Sequence, residues 1–226
     1  MTYVKFVINA KEEAKNIPKI VELGGYNTLT SEAFKMLEWK TKKDIYPQVL
    51  KLHKKNKKYL IKIKNIYDKL WQRVGKEYIK NLEKIQGYKV KNEKICYIVP
   101  SLWANIADVL GRKNAFIVAA ERQQNPLDFI MLHELTHLYY ADFLSKKHLE
   151  EAMNSPLMEG VDHLILFKSP TNKLFKGIKY NDVNFVKNNK KFMKELENIW
   201  IKRKNFESFI KEAIKIQRKF KNIKIC

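Results

Sequence analysis

The segment formed by residues 127–143 contains no glycine or proline, and nearly every position outside its central motif, residues 133–137, is apolar or aromatic. Such a segment predicts a helix that is apolar on every side, which is typical of a helix inside the core. The motif includes His133, Glu134 and His137, in the order His-Glu-Leu-Thr-His. Because polar and charged side chains are costly to bury without partners, the rest of the chain must enclose this helix and supply those partners.

The four-residue spacing of the two histidines indicates what the partner is. Residues i and i+4 lie on one face of a helix, so His133 and His137 can each direct a ring nitrogen at the same point. Two converging imidazoles form half of a tetrahedral zinc site, and Glu134 is then placed to act on a water molecule rather than on the metal. The alternative is a core helix whose two histidines are only hydrogen-bonded.

A catalytic zinc site usually has three protein ligands and one open position, so a third ligand is expected downstream. The pattern HExxHxxGxxH is excluded, because this chain has Tyr140 where the pattern needs glycine and Phe143 where it needs histidine. His148 is a weaker candidate, since it lies in a lysine-rich turn beyond the expected end of the helix. Glu159 is the stronger candidate, because a second apolar helix over residues 155–167 can carry its carboxylate to the metal.

Both helices have recognisable start signals. Asn125 is predicted to cap the first helix, with Pro126 at its first position. Ser155 and Pro156 are predicted to play the same parts in the second helix.

Other residues of the second helix have predicted roles of their own. Gly160 permits a close approach of the two helices. Asp162 and His163 lie on the same face as Glu159, and either can hydrogen-bond to a ligand histidine. The alternative for Glu159 itself is a first-turn acid that favours the helix dipole.

The combination resembles the gluzincin clan of zinc metallopeptidases, in which HExxH lies on one helix and a glutamate ligand lies on a following helix. The pair Glu159-Gly160 in an otherwise apolar helix is especially similar to minimal gluzincins and to related predicted zinc-dependent proteases. The resemblance covers about residues 95–168 and implies a zincin-like core. Many clan members have an acid or an amide before the glutamate ligand, where this chain has Met158, and this departs from the aminopeptidase-like branches.

The resemblance also implies functional roles. The implied ligands of one catalytic Zn²⁺ are His133, His137 and Glu159. Glu134 would be the general base in the hydrolysis of peptide bonds, with a peptide or an unfolded polypeptide as substrate. Tyr180 and His163 are the candidates for stabilising the tetrahedral oxyanion. In gluzincins the strand shortly before the metal helix is an edge that pairs with substrate, so residues 114–119 would bind peptide by β-addition, unless they form an ordinary buried strand.

Composition limits the other function classes. The net charge is +21 and the chain has 45 lysines and arginines, of which Arg73, Arg112, Arg122, Arg203 and Arg218 are the arginines. Dedicated nucleic-acid readers favour arginine, although lysines permit contact with a polyanion through its phosphates. The alternative functions are therefore a basic nucleic-acid-associated binding protein or another zinc hydrolase without protease activity.

Cysteine usage and targeting signals indicate a location. The two cysteines, Cys96 and Cys226, indicate a reducing compartment rather than a disulfide framework. No secretory signal or membrane-spanning segment is recognisable, so we expect a cytoplasmic protein.

The remaining patterns predict a helix-rich α+β fold, with a small sheet packed beside the metal helix and the glutamate helix. The first ten residues and residues 94–99 alternate or cluster like strands. Helices are expected over residues 31–40, from Tyr46-Pro47 to about residue 55, from Tyr59 onward, and again after residue 181. Three regions are predicted: a mainly helical basic region (1–92), a zincin-like catalytic core (93–180) and a basic helical region packing on the core (181–226).

Overall fold

The computed structural model describes residues 4–22, 42–100, 106–107, 114–120, 125–220 and 222–224. Within these residues the helices are α1 (Ala10–Glu22), α2 (Lys42–Lys55), α3 (Lys57–Gln86), α4 (Leu127–Lys147), α5 (Ser155–Phe167), α6 (Asn184–Asn188), α7 (Lys190–Lys202) and α8 (Phe206–Lys219). The strands are β1 (Val4–Val7), β2 (Lys94–Val99), β3 (Ile106–Ala107) and β4 (Ala115–Ala119). The predicted helix-rich α+β fold is confirmed, and its zincin-like arrangement stays a prediction. The helix predicted over residues 31–40 lies outside the described residues.

The sheet has the strand order β1-β2-β4-β3. Strands β1, β2 and β4 are parallel, and β3 runs antiparallel to β4. The expectation that residues 114–119 form the edge of the sheet is wrong, because β4 pairs with β2 on one side and with β3 on the other. The apolar run of β4 has the composition of a strand with both neighbours in place, and the short β3 takes the edge position instead.

The two faces of the sheet pack against different helices. Alternation along β2 sends Cys96 and Ile98 to one face, where they join a core cluster with α3, α4 and α5. Tyr97 and Val99 point to the other face and pack against residues of α1 and α2, such as Val49. The sheet is therefore a layer between the N-terminal helices and the helices that follow, as a period of two in the strands requires.

Helix α4, which carries the motif of residues 133–137, is buried along most of its length, as its composition predicts. Its start differs from the prediction by one residue, because Pro126 and not Asn125 holds the N-cap position. A similar shift occurs in α5, where the Asn154 side chain accepts a hydrogen bond of 3.1 Å from the backbone N–H of Leu157. Ser155 is consequently the first residue of α5 rather than its cap.

Gly160 is placed against a different helix from the one predicted. A Cβ atom at this position would lie 2.7 Å from Leu196 Cδ1 and 3.1 Å from Phe192 Cε1, both on α7. The missing side chain therefore allows α7, and not α4, to approach α5 closely. The prediction identified the need for close approach but not the partner, which is remote in the sequence.

The flanking helices agree in outline with the sequence patterns. Helix α3 is continuous over the segment predicted from Tyr59 onward, whereas α2 begins at Lys42 and contains Pro47 instead of starting there. The apolar positions predicted after residue 181 divide into α6, α7 and α8. One hydrophobic cluster includes residues from all three predicted regions, and the boundaries between these regions stay predictions. None of the described helices is long and apolar enough to cross a membrane.

Candidate metal centre

Helices α4 and α5 bring three donor groups to one point. The Nε2 atoms of His133 and His137 are 3.2 Å apart. Glu159 Oε1 lies 3.4 Å from His137 Nε2, and Glu159 Oε2 lies 3.8 Å from His133 Nε2. These three side chains form a group that could hold a metal ion.

The separations between the donor atoms fit a tetrahedral centre. Bonds of about 2.0–2.1 Å to a tetrahedral ion place two of its ligand atoms about 3.3 Å apart. The shortest distances between the three side chains range from 3.2 to 3.8 Å, and the two that involve Glu159 run to different oxygens of its carboxylate. Two imidazoles and one carboxylate are also a donor set suited to a divalent metal ion, so the residues present fit the ion that the sequence predicts.

Asp162 contacts the opposite side of the His133 ring. Its Oδ2 lies 2.5 Å from His133 Nδ1, and the Asp162 side chain is only 1% exposed. Together with His163 these residues form a second group of possible ligands. Two ligands of one ion are about 3 Å or more apart, so a distance of 2.5 Å indicates a direct contact instead. Asp162 thus orients the ring so that Nε2 faces His137 and Glu159.

His163, the other predicted partner of a ligand histidine, has a different environment. Its Nδ1–H donates a hydrogen bond of 2.6 Å to the backbone carbonyl of Glu159. Its ring stacks on Phe185 and Phe167, with centroid distances of 5.6 and 6.2 Å. Burial lowers the pKa of His163, and the nearby charge of His133 acts in the same direction. His163 therefore supports the backbone of α5 at the position of Glu159.

Glu134 is buried beside the donor group but belongs to neither set of possible ligands. Burial raises the pKa of its carboxyl, and the two imidazoles of His133 and His137 partly oppose this effect. A carboxyl group with a raised pKa can accept and release protons closer to neutral pH than an exposed glutamate can. The position of Glu134 suits proton transfer and not coordination.

The side chains of the site also balance one another's charge. Burial disfavours the charged form of His133, but the carboxylates of Asp162 and Glu159 outweigh it and raise the pKa of His133 to about 10. The pKa of His137 is raised for the same reasons. Burial acts against ionisation of Glu159, yet the two imidazoles hold its pKa well below the usual value. Glu159 is therefore ionised, whereas a metal ion must displace protons from the imidazoles.

One side of the donor group is open to solvent. The side chains of His133 and Glu159 are 18% and 25% exposed, and that of His137 is 9% exposed. A structural metal site is usually closed by four protein ligands, whereas three ligands leave a position for water or a substrate group. The exposure of this donor group matches the open arrangement.

Two contacts join α4 to other elements of the fold and were not foreseen from the sequence. The Tyr78 hydroxyl of α3 lies 2.9 Å from Thr136 Oγ1 within the motif, and Thr136 donates to the carbonyl of Leu132 at 2.7 Å. Lys94 Nζ of β2 lies 2.6 Å from Asp142 Oδ2 of α4. The partners are remote in the sequence, and no local spacing links them.

Two sequence candidates lie away from the donor group. His148 is exposed and ends α4 in a left-handed conformation with φ of 53°. The ring of Tyr180 packs against Phe167 and beneath Lys168, at the far end of α5 from Glu159. In the described structure, His148 is therefore not among the possible ligands, and the contacts of Tyr180 do not include them.

No family model matches this chain, and no curated protein or solved structure resembles it significantly.

Proposed function

We propose that this protein is a zinc-dependent metallopeptidase of the gluzincin type. The observation that carries the proposal is the open group formed by His133, His137 and Glu159, with Glu134 buried beside it but outside the ligand set. Zinc is favoured because two imidazoles and a carboxylate, at separations suited to a tetrahedron, are typical of catalytic zinc sites. A merely structural site would have no use for a buried carboxyl that binds no metal.

The chemistry follows from the positions of these side chains. When bound, Zn²⁺ polarises a carbonyl group and lowers the pKa of water to about 7. Glu134 accepts a proton from the attacking water and passes it to the leaving amine. Asp162 lies against Nδ1 of His133, and this contact would hold the ring with Nε2 directed towards the ion. The Tyr78–Thr136 contact joins α4 to α3 within the motif.

The sheet edge supports a peptide as the substrate. Strand β3 pairs only with β4 among the described residues, and β3 contacts the metal helix. An unpaired edge can bind an extended polypeptide through main-chain hydrogen bonds. Such an edge beside a metal centre favours unfolded or flexible substrates over folded ones.

The test compares the wild type with Glu134→Gln and Glu159→Ala, and uses Glu150→Gln as a control for loss of an acidic residue at the surface. Zinc content is measured by mass spectrometry, and cleavage is measured with casein and fluorogenic peptides. We expect the wild type and the control to bind one zinc ion and cleave. Glu134→Gln should retain zinc and lose about 10²–10⁴-fold in rate, whereas Glu159→Ala should lose the metal.

Two outcomes would contradict the proposal. A wild type that takes up no zinc from a loading solution excludes the metal centre. A wild type that binds zinc but cleaves no peptide, casein or unfolded protein excludes the peptidase activity and leaves a metal-binding protein of another class.

A further inference from the structure

The outer face of α3 carries an aligned set of basic side chains, which we call the basic face. Its exposed members are Lys58, Lys62, Lys69, Arg73, Lys76, Lys80 and Lys84. At 100° per residue they fall within an arc of about 80°, and at 1.5 Å per residue they extend over about 39 Å. The helix contains no proline and is continuous over this length, so the charges form one nearly straight row.

Most of these charges have no acidic partner nearby. Within the described part of the chain, no carboxylate lies within ion-pair distance of Lys58, Lys62, Lys69, Lys76 or Lys84. Arg73 and Lys80 have partners, at 3.1 Å from Asp128 and 3.6 Å from Glu77 respectively.

Helix α8 shows that this pattern is not general for the chain. Its Lys211 and Lys215 each pair at 2.7 Å with a glutamate of the same helix. Arg218 of α8 pairs with Glu151. Most basic residues of α8 are thus neutralised within the molecule. The basic face of α3, by contrast, keeps unpaired charges that produce a positive electrostatic field. Like charges aligned on one helix face repel one another, so this arrangement gives the fold no stability.

The opposite face of α3 narrows the choice of partner. Its apolar side chains, among them Leu60, Tyr67 and Trp71, are buried in the core. An amphipathic helix binds a membrane by inserting its apolar face, but the apolar face of α3 is already buried in the core. The basic face therefore suits a partner that is recognised by charge alone.

The shape and chemistry of the basic face match the backbone of a nucleic-acid duplex. A duplex is a stiff rod with one negative charge per about 1.7 Å of its axis, so it offers phosphates along the full length of α3. Lysines act as point charges towards phosphates, whereas base reading uses arginine, asparagine and glutamine forks. A shallow groove lined by Lys58, Lys62 and Lys69, together with Ile61, Asn65 and Ile66, runs along one end of the face.

We propose that the outer face of α3 binds the phosphate backbone of duplex DNA without sequence preference. The pair Arg73–Asp128 joins this face to the first turn of the metal helix, so bound DNA would lie beside α4. The binding does not depend on the proposed peptidase activity and is measured without it.

The test uses fluorescence anisotropy of a labelled duplex of roughly 20 base pairs, about two turns, at several salt concentrations. The variant Lys62→Gln/Lys69→Gln/Lys76→Gln removes three unpaired charges from the basic face. The variant Lys190→Gln/Lys194→Gln/Lys202→Gln removes three exposed lysines from α7 and matches it in net charge. Glutamine retains helix propensity, and circular dichroism checks that both variants are folded.

We expect the wild type to bind the duplex and its affinity to fall steeply with salt. The α3 variant should lose at least about tenfold in affinity, and the slope of log K against log salt should become shallower by about 2 to 3. The α7 variant should keep the slope of the wild type.

Three results would overturn the proposal. Equal losses in the two triple variants would show a general effect of net charge. Absence of wild-type binding at low salt would exclude a nucleic-acid surface. Tighter binding of anionic phospholipid vesicles or of single-stranded DNA than of the duplex, lost in the α3 variant, would assign the face to another partner.

Discussion

Helices α4 and α3 lie side by side, yet their polar and charged side chains differ in burial and in the partners they have. The polar side chains in the middle of α4 are buried or half-buried, and two of them lie close to groups of complementary chemistry: His133 beside Asp162, and Asp142 beside Lys94. The basic face of α3 is exposed, and most of its side chains have like charges as neighbours and no carboxylate within ion-pair distance among the described residues.

The difference shows what each helix can be used for. A buried charge must have partners because water cannot solvate it, so the groups on α4 are held in one geometry. Exposed lysines remain hydrated and mobile, so the row on α3 has a long-range field but no fixed arrangement. The fixed geometry of α4 therefore suits a site for one ion, and the long-range field of α3 suits a site for an extended polyanion.

The largest effect on stability is expected from breaking a buried pair on α4. Asp142→Ala removes the carboxylate beside the Lys94 ammonium, whose side chain is 0% exposed. Burial already lowers the pKa of Lys94. Removing one partner of a buried pair costs about 3 kcal/mol or more, measured as the free energy of unfolding in urea.

Lys69→Gln on the basic face is the matched control for that experiment. Because Lys69 is exposed and has no acidic partner among the described residues, its replacement should leave the free energy of unfolding unchanged. If the two variants were equally stable, the contrast between the two helices would fail.

The next effect concerns the pH dependence of metal binding. Asp162 raises the pKa of His133, which reaches about 10, so this ring is protonated at pH 7 and a metal ion must displace its proton. Raising the pH removes that competing proton, and the apparent affinity for Zn²⁺ should increase about tenfold per pH unit for each proton displaced between pH 7 and 9.

Asp162→Asn tests the cause of this dependence. Without the carboxylate, the pKa of His133 should return towards its ordinary value, and the affinity should vary less above pH 7. The affinity at pH 9 should also fall about 10–100-fold, because the ring loses the contact that orients it. Chelator competition at each pH measures both effects, and Asp68→Asn on α3 controls for loss of a surface acid. An unchanged pH slope in Asp162→Asn would contradict the assigned role.

The smallest effect on stability is expected from a comparison of two buried tyrosines of α3. Tyr78→Phe removes the hydroxyl that lies 2.9 Å from Thr136 Oγ1, and should destabilise the protein by about 1 kcal/mol. Tyr67 is buried as well, but its hydroxyl has no hydrogen-bond partner in the described structure. Tyr67→Phe should therefore cost nothing or stabilise the protein. Thermal and urea unfolding of both variants measure the difference, and equal losses would show that the Thr136 contact does not hold α4.

Individual helices and strands were predictable because each depends on the pattern of residues that are neighbours in the sequence. The apolar run in residues 127–143 predicted a buried helix, and the structure contains α4 there. The strand prediction for residues 94–99 matches β2. Errors at helix starts, such as Ser155 in place of Asn154, arose because two adjacent residues can both cap a helix.

The sequence alone determined that His133 and His137 share one face of a buried helix, because a helical period of 3.6 residues places i and i+4 together. Only the tertiary structure decided that Glu159 lies 3.4 Å from His137, that Asp162 rather than a nitrogen of His163 meets His133 Nδ1, and that β4 is an inner strand. The distinction between Asp162 and His163 concerns His133 Nδ1: Asp162 Oδ2 lies 2.5 Å from it, whereas the His163 ring packs edge-on against the His133 ring. These facts depend on how helices and strands remote in the sequence pack against one another. No local period encodes such packing, since it is set by the fit of whole side-chain surfaces.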